Sequence, residues 1–159
     1  MKTIKIGMLG CGVVGGAVAK ELSNNSADLA ARSGANLVLS KVAVRNLSKR
    51  DGVSESILTS DANSVVTDPE IELVIEVMGG IEPARELILK AIQNGKSVVT
   101  ANKALLATHG ADLYNAAEKA GVDLYYEAAV AGAIPIIRPL RESLVGDRIN
   151  RVMGIVNGT

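Results

Sequence analysis

The sequence contains no tryptophan, no phenylalanine and only three tyrosines in 159 residues. Because 48% of the chain is nevertheless apolar, its core must be built mainly from valine, isoleucine, leucine and alanine. An aliphatic core of this kind is typical of a parallel sheet whose strands are buried by helices on both faces. The single cysteine, Cys11, cannot form a disulfide within the chain. These absences favour an α/β protein of a reducing compartment.

Neither sign of charge is in excess, because 17 Lys and Arg residues balance 17 Asp and Glu residues. These charges are interspersed and form no basic block that would attract a nucleic-acid backbone. The start of the chain lacks the apolar stretch of a signal peptide. The longest apolar run, 128–137, contains Pro135 and is shorter than the ~20 residues that a membrane helix needs. We therefore expect a cytoplasmic protein with no nucleic-acid and no membrane partner.

Aliphatic runs typical of strands alternate with helical periodicity along the whole chain. This alternation predicts an α/β fold with a doubly wound, mostly parallel sheet of Rossmann type, formed by residues 1–159 as one domain. The predicted strands are 4–9, 37–44, 71–77, 97–100, 122–127 and 151–156. The predicted helices are 14–32, 83–94, 109–120 and 135–144, with a further short helix and loop within 46–67.

The first predicted strand runs directly into a G-x-G-x-x-G turn that opens the first helix. In this motif Gly10 permits the tight turn, Gly12 lets a pyrophosphate approach the backbone, and Gly15 lets helix and strand pack closely. The helix N-terminus then offers unpaired N–H groups to the phosphates. A glycine-rich turn without a ligand is the alternative. The predicted cofactor-binding residues of this turn are Gly10, Cys11, Gly12, Val13, Val14 and Gly15.

The end of the second predicted strand bears on the choice of cofactor. An Asp or Glu at this place would hold the ribose 2′-hydroxyl of NAD. The sequence has Arg45 instead, with Lys49 and Arg50 nearby. A guanidinium forms paired, charge-assisted hydrogen bonds with phosphate oxygens, which suits the 2′-phosphate of NADP. We predict that either cofactor binds and that NADP is favoured, the alternative being that these three cations form an ordinary solvated face.

Six short motifs follow one another along the chain: GCGVVGG at 10–16, VAVR at 42–45, EVMGG at 76–80, VTANKA at 99–104, YEAAVAGAIPI at 126–136 and GIVNGT at 154–159. They occur in the order and approximate spacing found in homoserine dehydrogenases. The chain resembles that family over its whole length, and six matches in register are more specific than a glycine turn alone.

The resemblance implies that Lys103 is a catalytic residue placed between cofactor and substrate. An ammonium there can hold the substrate hydroxyl or relay its proton as hydride leaves the carbon. On residue type alone, Lys103 could equally be a surface lysine that opens a helix, and the glycines after the third strand a plain turn. The further cofactor-binding residues that the resemblance implies are Met78, Gly79, Gly80, Thr100, Ala101, Asn102 and Lys103.

A carboxylate near the end of the fifth predicted strand lies among small apolar residues, where an unpaired charge is costly. In similar enzymes this carboxylate and nearby carbonyls bind a monovalent cation such as sodium, for which oxygen ligands are suitable. A Glu that is merely solvated, or that caps a helix, is an equally weighted alternative. The matching positions are Glu127, Val130, Gly132 and Ile134.

The resemblance implies an oxidoreductase that interconverts L-homoserine and L-aspartate 4-semialdehyde with NAD or NADP, in threonine and methionine biosynthesis. It also implies that the substrate-binding domain lies beyond Thr159, that the full-length enzyme is a homodimer, and that this chain alone binds cofactor but is nearly inactive. Two alternatives remain at this point. One is the Rossmann domain of another two-domain oxidoreductase, and the other is a non-enzymatic dinucleotide-sensing module.

Overall fold

A six-stranded parallel sheet forms the centre of the computed structural model, which describes residues 1–48, 52–132 and 134–154. All neighbouring strands are parallel, and their order is β3-β2-β1-β4-β5-β6. The predicted α/β fold with a Rossmann-type sheet is therefore confirmed. The strands are β1 (Lys2–Leu9), β2 (Ala35–Ala43), β3 (Leu58–Thr59), β4 (Leu73–Glu76), β5 (Ser97–Thr100) and β6 (Leu124–Tyr125).

Helices cover both faces of this sheet. One face packs against α1, where Ala19 joins a buried cluster with Met8 and Val42. The other face packs against α3, α4 and α5 in a larger, wholly aliphatic cluster. No helix in the described residues is long and apolar enough to cross a membrane. The helices are α1 (Val13–Asn24), α2 (Ser26–Ser33), α3 (Asn63–Val66), α4 (Ala84–Gln93) and α5 (Lys103–Ala120).

The two clusters divide consecutive residues of the same strand between them. Met8 belongs to the α1 side, whereas Leu9 belongs to the side of α4 and α5. Val42 and Ala43 on β2 separate in the same way. Side chains alternate across a strand, so a strand with helices on both sides is apolar at most positions. This is why the central strands read as continuous aliphatic runs.

The strand order places a topological switch between β1 and β4. From β1 the chain proceeds outward to β2 and β3, and it then returns to β4 on the other side of β1. The loops that follow β1 and β4 therefore leave in opposite directions and open a crevice at the carboxyl edge of the sheet. Open α/β sheets bind ligands in this crevice.

The first predicted helix is interrupted, which corrects the expectation of one continuous helix over 14–32. It divides at Asn25, whose backbone leaves helical geometry at φ −111° and ψ 24°. The surrounding residues, 23–26, are serines and asparagines, whose side chains compete with the helix for backbone hydrogen bonds. The predicted stop at Gly34 is confirmed, since Gly34 adopts a left-handed conformation with φ 75°.

The helix predicted over 109–120 begins earlier, at Lys103. Its N-cap is Asn102, whose side chain accepts a hydrogen bond from the Leu105 amide at 3.2 Å. The cap residue fixes the first turn before hydrophobic periodicity becomes visible, which is why the predicted start was wrong. The bounds predicted for α4 and β5 agree with the structure within one residue at each end.

The carboxyl-terminal part of the chain differs most from the prediction. The strand predicted over 122–127 shrinks to β6, and the helix predicted over 135–144 is a single π-helical stretch at Pro139–Ser143. Residues 151–154 of the last predicted strand form no regular structure, and 155–156 lie outside the described residues. A strand requires a paired neighbour, and residues 151–154 pair with no strand of the sheet; β3, which was not predicted, pairs with β2 at the edge opposite β6.

Candidate functional site

The turn after β1 is held against the loop after β4. Gly10 has φ 95°, and a Cβ atom built on it would lie 2.9 Å from the Met78 backbone. Its amide donates to the Ala43 carbonyl at 2.9 Å, which ties the turn to the end of β2. A side chain at Gly10 would be strained in this conformation and would collide with the neighbouring loop. The carboxyl ends of β1, β2 and β4 thus meet around Gly10.

The other two glycines of the motif are required for different reasons. A Cβ atom on Gly15 would lie 2.5 Å from the Gly10 carbonyl oxygen, so that α1 could not pack on the turn. A Cβ atom on Gly12, in contrast, would meet nothing within 4 Å. Packing therefore explains Gly15 but not Gly12. The open space above Gly12 is what the sequence motif predicts for a ligand that approaches the backbone.

The N-terminus of α1 has no side-chain cap and no acidic residue in its first turn. Its N-cap is Gly12, which has no side chain to accept from the first amides. Val13 and Val14 nearby are 94% and 54% exposed, although both are apolar, while Cys11 is buried beneath them in the α1 cluster. Unpaired helix amides and the helix dipole attract anionic groups. The turn can therefore bind a phosphate.

A buried carboxylate organises the loop after β4. Glu76 is completely buried, and its Oε1 atom accepts hydrogen bonds from the Met78 amide at 2.9 Å and the Gly79 amide at 3.2 Å. Its Oε2 atom accepts from the Thr100 hydroxyl at 2.6 Å. The loop at 78–80 is thereby fixed to the end of β5. This places two of the predicted cofactor-binding segments side by side.

A second link joins the same two segments. The Asn102 side chain donates to the Gly80 carbonyl at 2.6 Å while it caps α5 through the Leu105 amide. The Asn102 amide itself donates to the Thr100 hydroxyl oxygen at 3.1 Å. Thr100 and Asn102 are buried, at 0% and 7% exposure. The predicted residues at 78–80 and 100–103 therefore form one cross-linked structure.

Lys103 is the first residue of α5, and its side chain is exposed. Within the part of the chain that the structure describes, no hydrogen bond or ion pair engages its ammonium group. The N-terminus of a helix disfavours a cation, so this lysine does not stabilise α5. It is brought to the carboxyl edge beside Asn102. The position leaves the ammonium available for a chemical role, which remains a prediction.

The residue predicted to select the cofactor lies at the same edge. Arg45 follows the end of β2 and is exposed, while the adjacent Val44 amide donates to the Thr59 carbonyl at 2.9 Å. The backbone before Arg45 is therefore anchored by β3. Lys49 and Arg50, the other two predicted cations, lie outside the described residues.

The Glu127 carboxylate binds backbone amides in the structure. It lies in a 3-10 turn (Glu127–Ala129) after β6, and its two oxygens accept from the amides of residues 136–138 at 2.5 to 2.9 Å. Desolvation alone would raise the pKa of Glu127, but these hydrogen bonds outweigh it and lower the pKa below its usual value. The structure thus shows the capping role. The cation site that Glu127 was predicted to share with Val130, Gly132 and Ile134 stays a prediction.

Two open grooves of similar volume lie at different parts of the sheet. One, of about 580 Å³, begins beside Lys103 and follows α5 past Tyr114 and Tyr126. The other, of about 600 Å³, lies beside Lys96 at the amino edge. Their volumes are too similar to indicate which of the two grooves binds a ligand. The rule that parallel sheets bind ligands at their carboxyl ends favours the groove beside Lys103.

Sequence reasoning missed the part that Glu76 plays. The residue was read only as one letter of a motif, although it ends a run of aliphatic residues on a strand buried on both sides. The same argument that singled out Glu127, the cost of burying an unpaired carboxylate, applies to Glu76 with greater force. The cap at Asn102 was also missed, and an Asn before an apolar run is a recognised start signal for a helix.

Sequence comparison shows that the chain is similar to homoserine dehydrogenases. The family described as "Homoserine dehydrogenase, NAD binding domain" matches residues 10–127. The chain is 54% identical over 158 residues to the homoserine dehydrogenase of Mycobacterium tuberculosis, and the alignment covers 99% of this chain and 36% of that protein. The chain thus spans about 36% of the length of this curated relative. The resemblance that the motifs indicated is confirmed.

Solved structures give the same result. The crystal structure of a homoserine dehydrogenase from Thiobacillus denitrificans matches with a TM-score of 0.86 and 48% identity, over 93% of this chain and 35% of that one. A hyperthermophilic archaeal homoserine dehydrogenase in complex with NADPH matches with a TM-score of 0.74 and 26% identity, over 91% of this chain and 50% of that one. The backbone arrangement described above is therefore shared with these proteins.

Proposed function

This chain belongs to the homoserine dehydrogenase family, and we propose that it holds the nicotinamide cofactor of an oxidoreductase acting on L-homoserine and L-aspartate 4-semialdehyde. That reaction belongs to threonine and methionine biosynthesis. The full-length enzyme acts as a homodimer in which a further domain binds the substrate. The chain contributes the dinucleotide site at the carboxyl edge of its sheet.

The uncapped N-terminus of α1 is the observation that carries this proposal. Its amides have no side-chain partner, Gly12 leaves open space above the backbone, and the apolar Val13 is 94% exposed. The missing cap is costly without a ligand, since an N-cap side chain contributes about 1 kcal/mol. A pyrophosphate at the helix amides, with the adjoining part of the dinucleotide over Val13, would offset this cost.

The residues at the ends of β4 and β5 would bind the nicotinamide half and the reacting groups. The cofactor, when bound, supplies the hydride chemistry through its nicotinamide C4 atom. The loop at 78–80 would lie against the ribose and the nicotinamide ring. As a neutral amine, Lys103 would accept the proton of the substrate hydroxyl as the alcohol is oxidised, and as an ammonium it would return that proton in the opposite direction. Its exposed position at the start of α5 supports this role.

Arg45 is proposed to favour NADP over NAD. The residue is exposed at the end of β2, next to the glycine turn through the bond between Gly10 and Ala43. A guanidinium at this place can form paired hydrogen bonds with a ribose 2′-phosphate. The NADPH complex of the archaeal relative supports the same preference.

A monovalent cation such as sodium, held at Glu127 and by the carbonyls of Val130, Gly132 and Ile134, would complete the site.

The test is a side-by-side titration of the chain with NADPH and NADH, followed by fluorescence or calorimetry. We expect NADPH to bind more tightly and an Arg45→Glu variant to lose about ten- to a hundredfold of that affinity, because hydrogen bonds to charged groups contribute roughly 1.5–3 kcal/mol. Arg148→Glu is the matched control, since Arg148 is also exposed but lies in the carboxyl-terminal segment. Tighter binding of NADH by the unchanged chain would contradict the role of Arg45.

A separate measurement concerns catalysis by the chain alone. The chain spans about 36% of the length of its Mycobacterium tuberculosis relative, and we propose that substrate binding depends on the part of that protein which this chain does not match. We therefore expect cofactor binding with little or no homoserine-dependent reduction of NADP. A robust homoserine-dependent rate from the purified chain would show that this division of labour is wrong.

A further inference from the structure

The burial of Glu76 is not explained by stability alone. Among the described residues it is the one acidic side chain without exposed surface, and its three hydrogen-bond donors are two amides and a hydroxyl. A buried charge is costly, and a well-packed apolar residue of similar size commonly stabilises a fold at least as well. A carboxylate retained at such a place therefore indicates a use other than packing.

The donors to Glu76 identify that use. Two of them, the amides of Met78 and Gly79, belong to the loop against which the glycine turn is packed. Because a Cβ atom on Gly10 would lie 2.9 Å from Met78, any movement of this loop also moves the surface on which Gly10 rests. Glu76 thus fixes the position of the loop at 78–80, against which the glycine turn after β1 is packed.

The third donor, the Thr100 hydroxyl, connects Glu76 to the start of α5, where Lys103 lies. Thr100 donates to Glu76 and accepts from the Asn102 amide, and Asn102 caps the helix that begins with Lys103. The Asn102 side chain returns to the first loop through the Gly80 carbonyl. The hydrogen bonds form a closed circuit from Glu76 through both loops. The start of α5 therefore cannot shift independently of the loop at 78–80.

We propose that Glu76 is a positioning residue that sets the loop at 78–80 and, through Thr100 and Asn102, the place of Lys103 relative to the bound dinucleotide. The proposal rests on the proposed function for its ligand. It does not rest on that function for the coupling between the loops, which is a property of the chain itself. Glu76 touches neither cofactor nor substrate in this role.

The first test is amide hydrogen exchange by NMR in a Glu76→Gln variant. A Gln side chain is nearly the same shape, but hydrogen bonds to a charged acceptor are roughly twice as strong as those to a neutral one. We expect exchange of the Met78 and Gly79 amides to accelerate about tenfold while amides in the centre of β1 and α4 remain unchanged. Glu72→Gln, an exposed glutamate paired with Lys2 at the other edge, is the matched control.

The second test compares two variants of Thr100, which keeps the proposal open to refutation if Glu76→Gln does not fold. Thr100→Ser retains the hydroxyl, whereas Thr100→Val retains the shape and loses it. The Val variant should reproduce the faster exchange at Met78 and Gly79, and the Ser variant should not. Equal acceleration in both, or acceleration spread evenly over the whole chain, would mean that packing rather than the hydrogen-bond circuit holds the loops.

Cofactor titration of the same variants separates this proposal from the proposed function. Glu76→Gln should weaken NADPH binding about tenfold under conditions where the variant remains folded. Unchanged affinity together with faster exchange would refute the effect of Glu76 on the cofactor. If the unchanged chain binds neither NADPH nor NADH, the proposed function fails, while the exchange data still decide whether Glu76 positions the two loops.

Discussion

Among the residues that the structure describes, each edge of the sheet buries one charged side chain, and the two charges are opposite. At the carboxyl edge, Glu76 accepts hydrogen bonds from the loop at 78–80 and from Thr100. At the amino edge, Lys96 is 3% exposed and donates to the carbonyls of Asp68 and Ile71 at 2.5 and 2.8 Å. Desolvation lowers the pKa of Lys96, and the nearby Asp68 carboxylate opposes this only in part.

Each buried charge is paired with backbone groups of the segments beside it. The Glu76 carboxylate accepts from the amides of Met78 and Gly79 in the loop after β4, whereas the Lys96 ammonium donates to the carbonyls of Asp68 and Ile71 in the segment before β4. The two edges differ in which polar groups remain without a hydrogen-bond partner from a side chain. Lys96 is satisfied by its own backbone, while the amides at the start of α1 have no side-chain cap.

We propose that the carboxyl edge binds the ligand and that the amino edge supports the structure. Substitutions at the carboxyl edge should therefore change cofactor affinity, whereas substitutions at the amino edge should change only the free energy of unfolding.

The largest effect is expected from Gly15→Ala. The new Cβ atom would lie 2.5 Å from the Gly10 carbonyl oxygen, so α1 would have to move away from the turn. We expect a loss of about 1–3 kcal/mol in the free energy of unfolding, typical of overpacking, together with a loss of NADPH affinity of a hundredfold or so. Denaturant unfolding and titration measure the two. Affinity that survives intact would show that the phosphates do not bind at this turn.

Lys96→Met tests the opposite edge. The substitution removes the ammonium and leaves the carbonyls of Asp68 and Ile71 without their donor, which should lower the free energy of unfolding by about 1.5–3 kcal/mol. NADPH affinity should remain the same under conditions where the variant is folded. Lys90→Met, at a half-buried position of α4 whose ammonium donates to the Asn63 side chain at 2.7 Å, is the control and should have a smaller effect. A clear change of NADPH affinity in Lys96→Met would contradict the purely structural role of the amino edge.

Gly12→Ala should change affinity without changing stability. Its Cβ atom meets nothing within 4 Å, and the backbone at φ −86° lies outside the left-handed region. The free energy of unfolding should change by less than about 1 kcal/mol. NADPH binding should weaken about tenfold, because the methyl group occupies the space proposed for the pyrophosphate. Unimpaired binding would move the phosphate site away from Gly12.

The smallest effect concerns Glu127 and acid. Because the folded-state pKa of Glu127 is lowered, its contribution to stability is complete above its ordinary value of about 4.3 and is lost as pH falls through the lower folded value. A Glu127→Gln variant should therefore show a weaker decline in thermal stability over this acidic range, while its cofactor affinity near neutral pH changes little. Identical pH profiles would show that the amides of 136–138 do not depend on the carboxylate.

Local signals predicted the elements that position the cofactor turn. The aliphatic run before Gly10, the glycine spacing and the helix ends predicted at 32 and 120 are properties of neighbouring residues, and the structure agrees with each of them. The break at Asn25 was visible in principle, since it follows from poor helix formers in sequence. β3 was not, because two residues become a strand only when the end of β2 is beside them.

The site residues divide in the same manner. The motif positions were predicted individually, and the structure brings the glycine turn, the loop at 78–80 and the residues at 100–103 to one edge. Their connection through Glu76 could not be predicted from spacing, since 24 residues separate it from Thr100. The role of Glu127 likewise depends on a chain reversal that brings residues 136–138 to it.

An aliphatic α/β core, the strand–glycine–helix unit and the family could be predicted from the sequence, because periodicity, turn chemistry and ordered motifs depend on residues close along the chain. Which polar groups are paired and which remain available depends on long-range contacts in the fold. Hydrogen bonds at the sheet edges join backbone amides and side chains far apart in sequence, and burial determines what an unpaired group costs. For this reason the composition of the site was predictable, whereas the circuit through Glu76 became visible only in the fold.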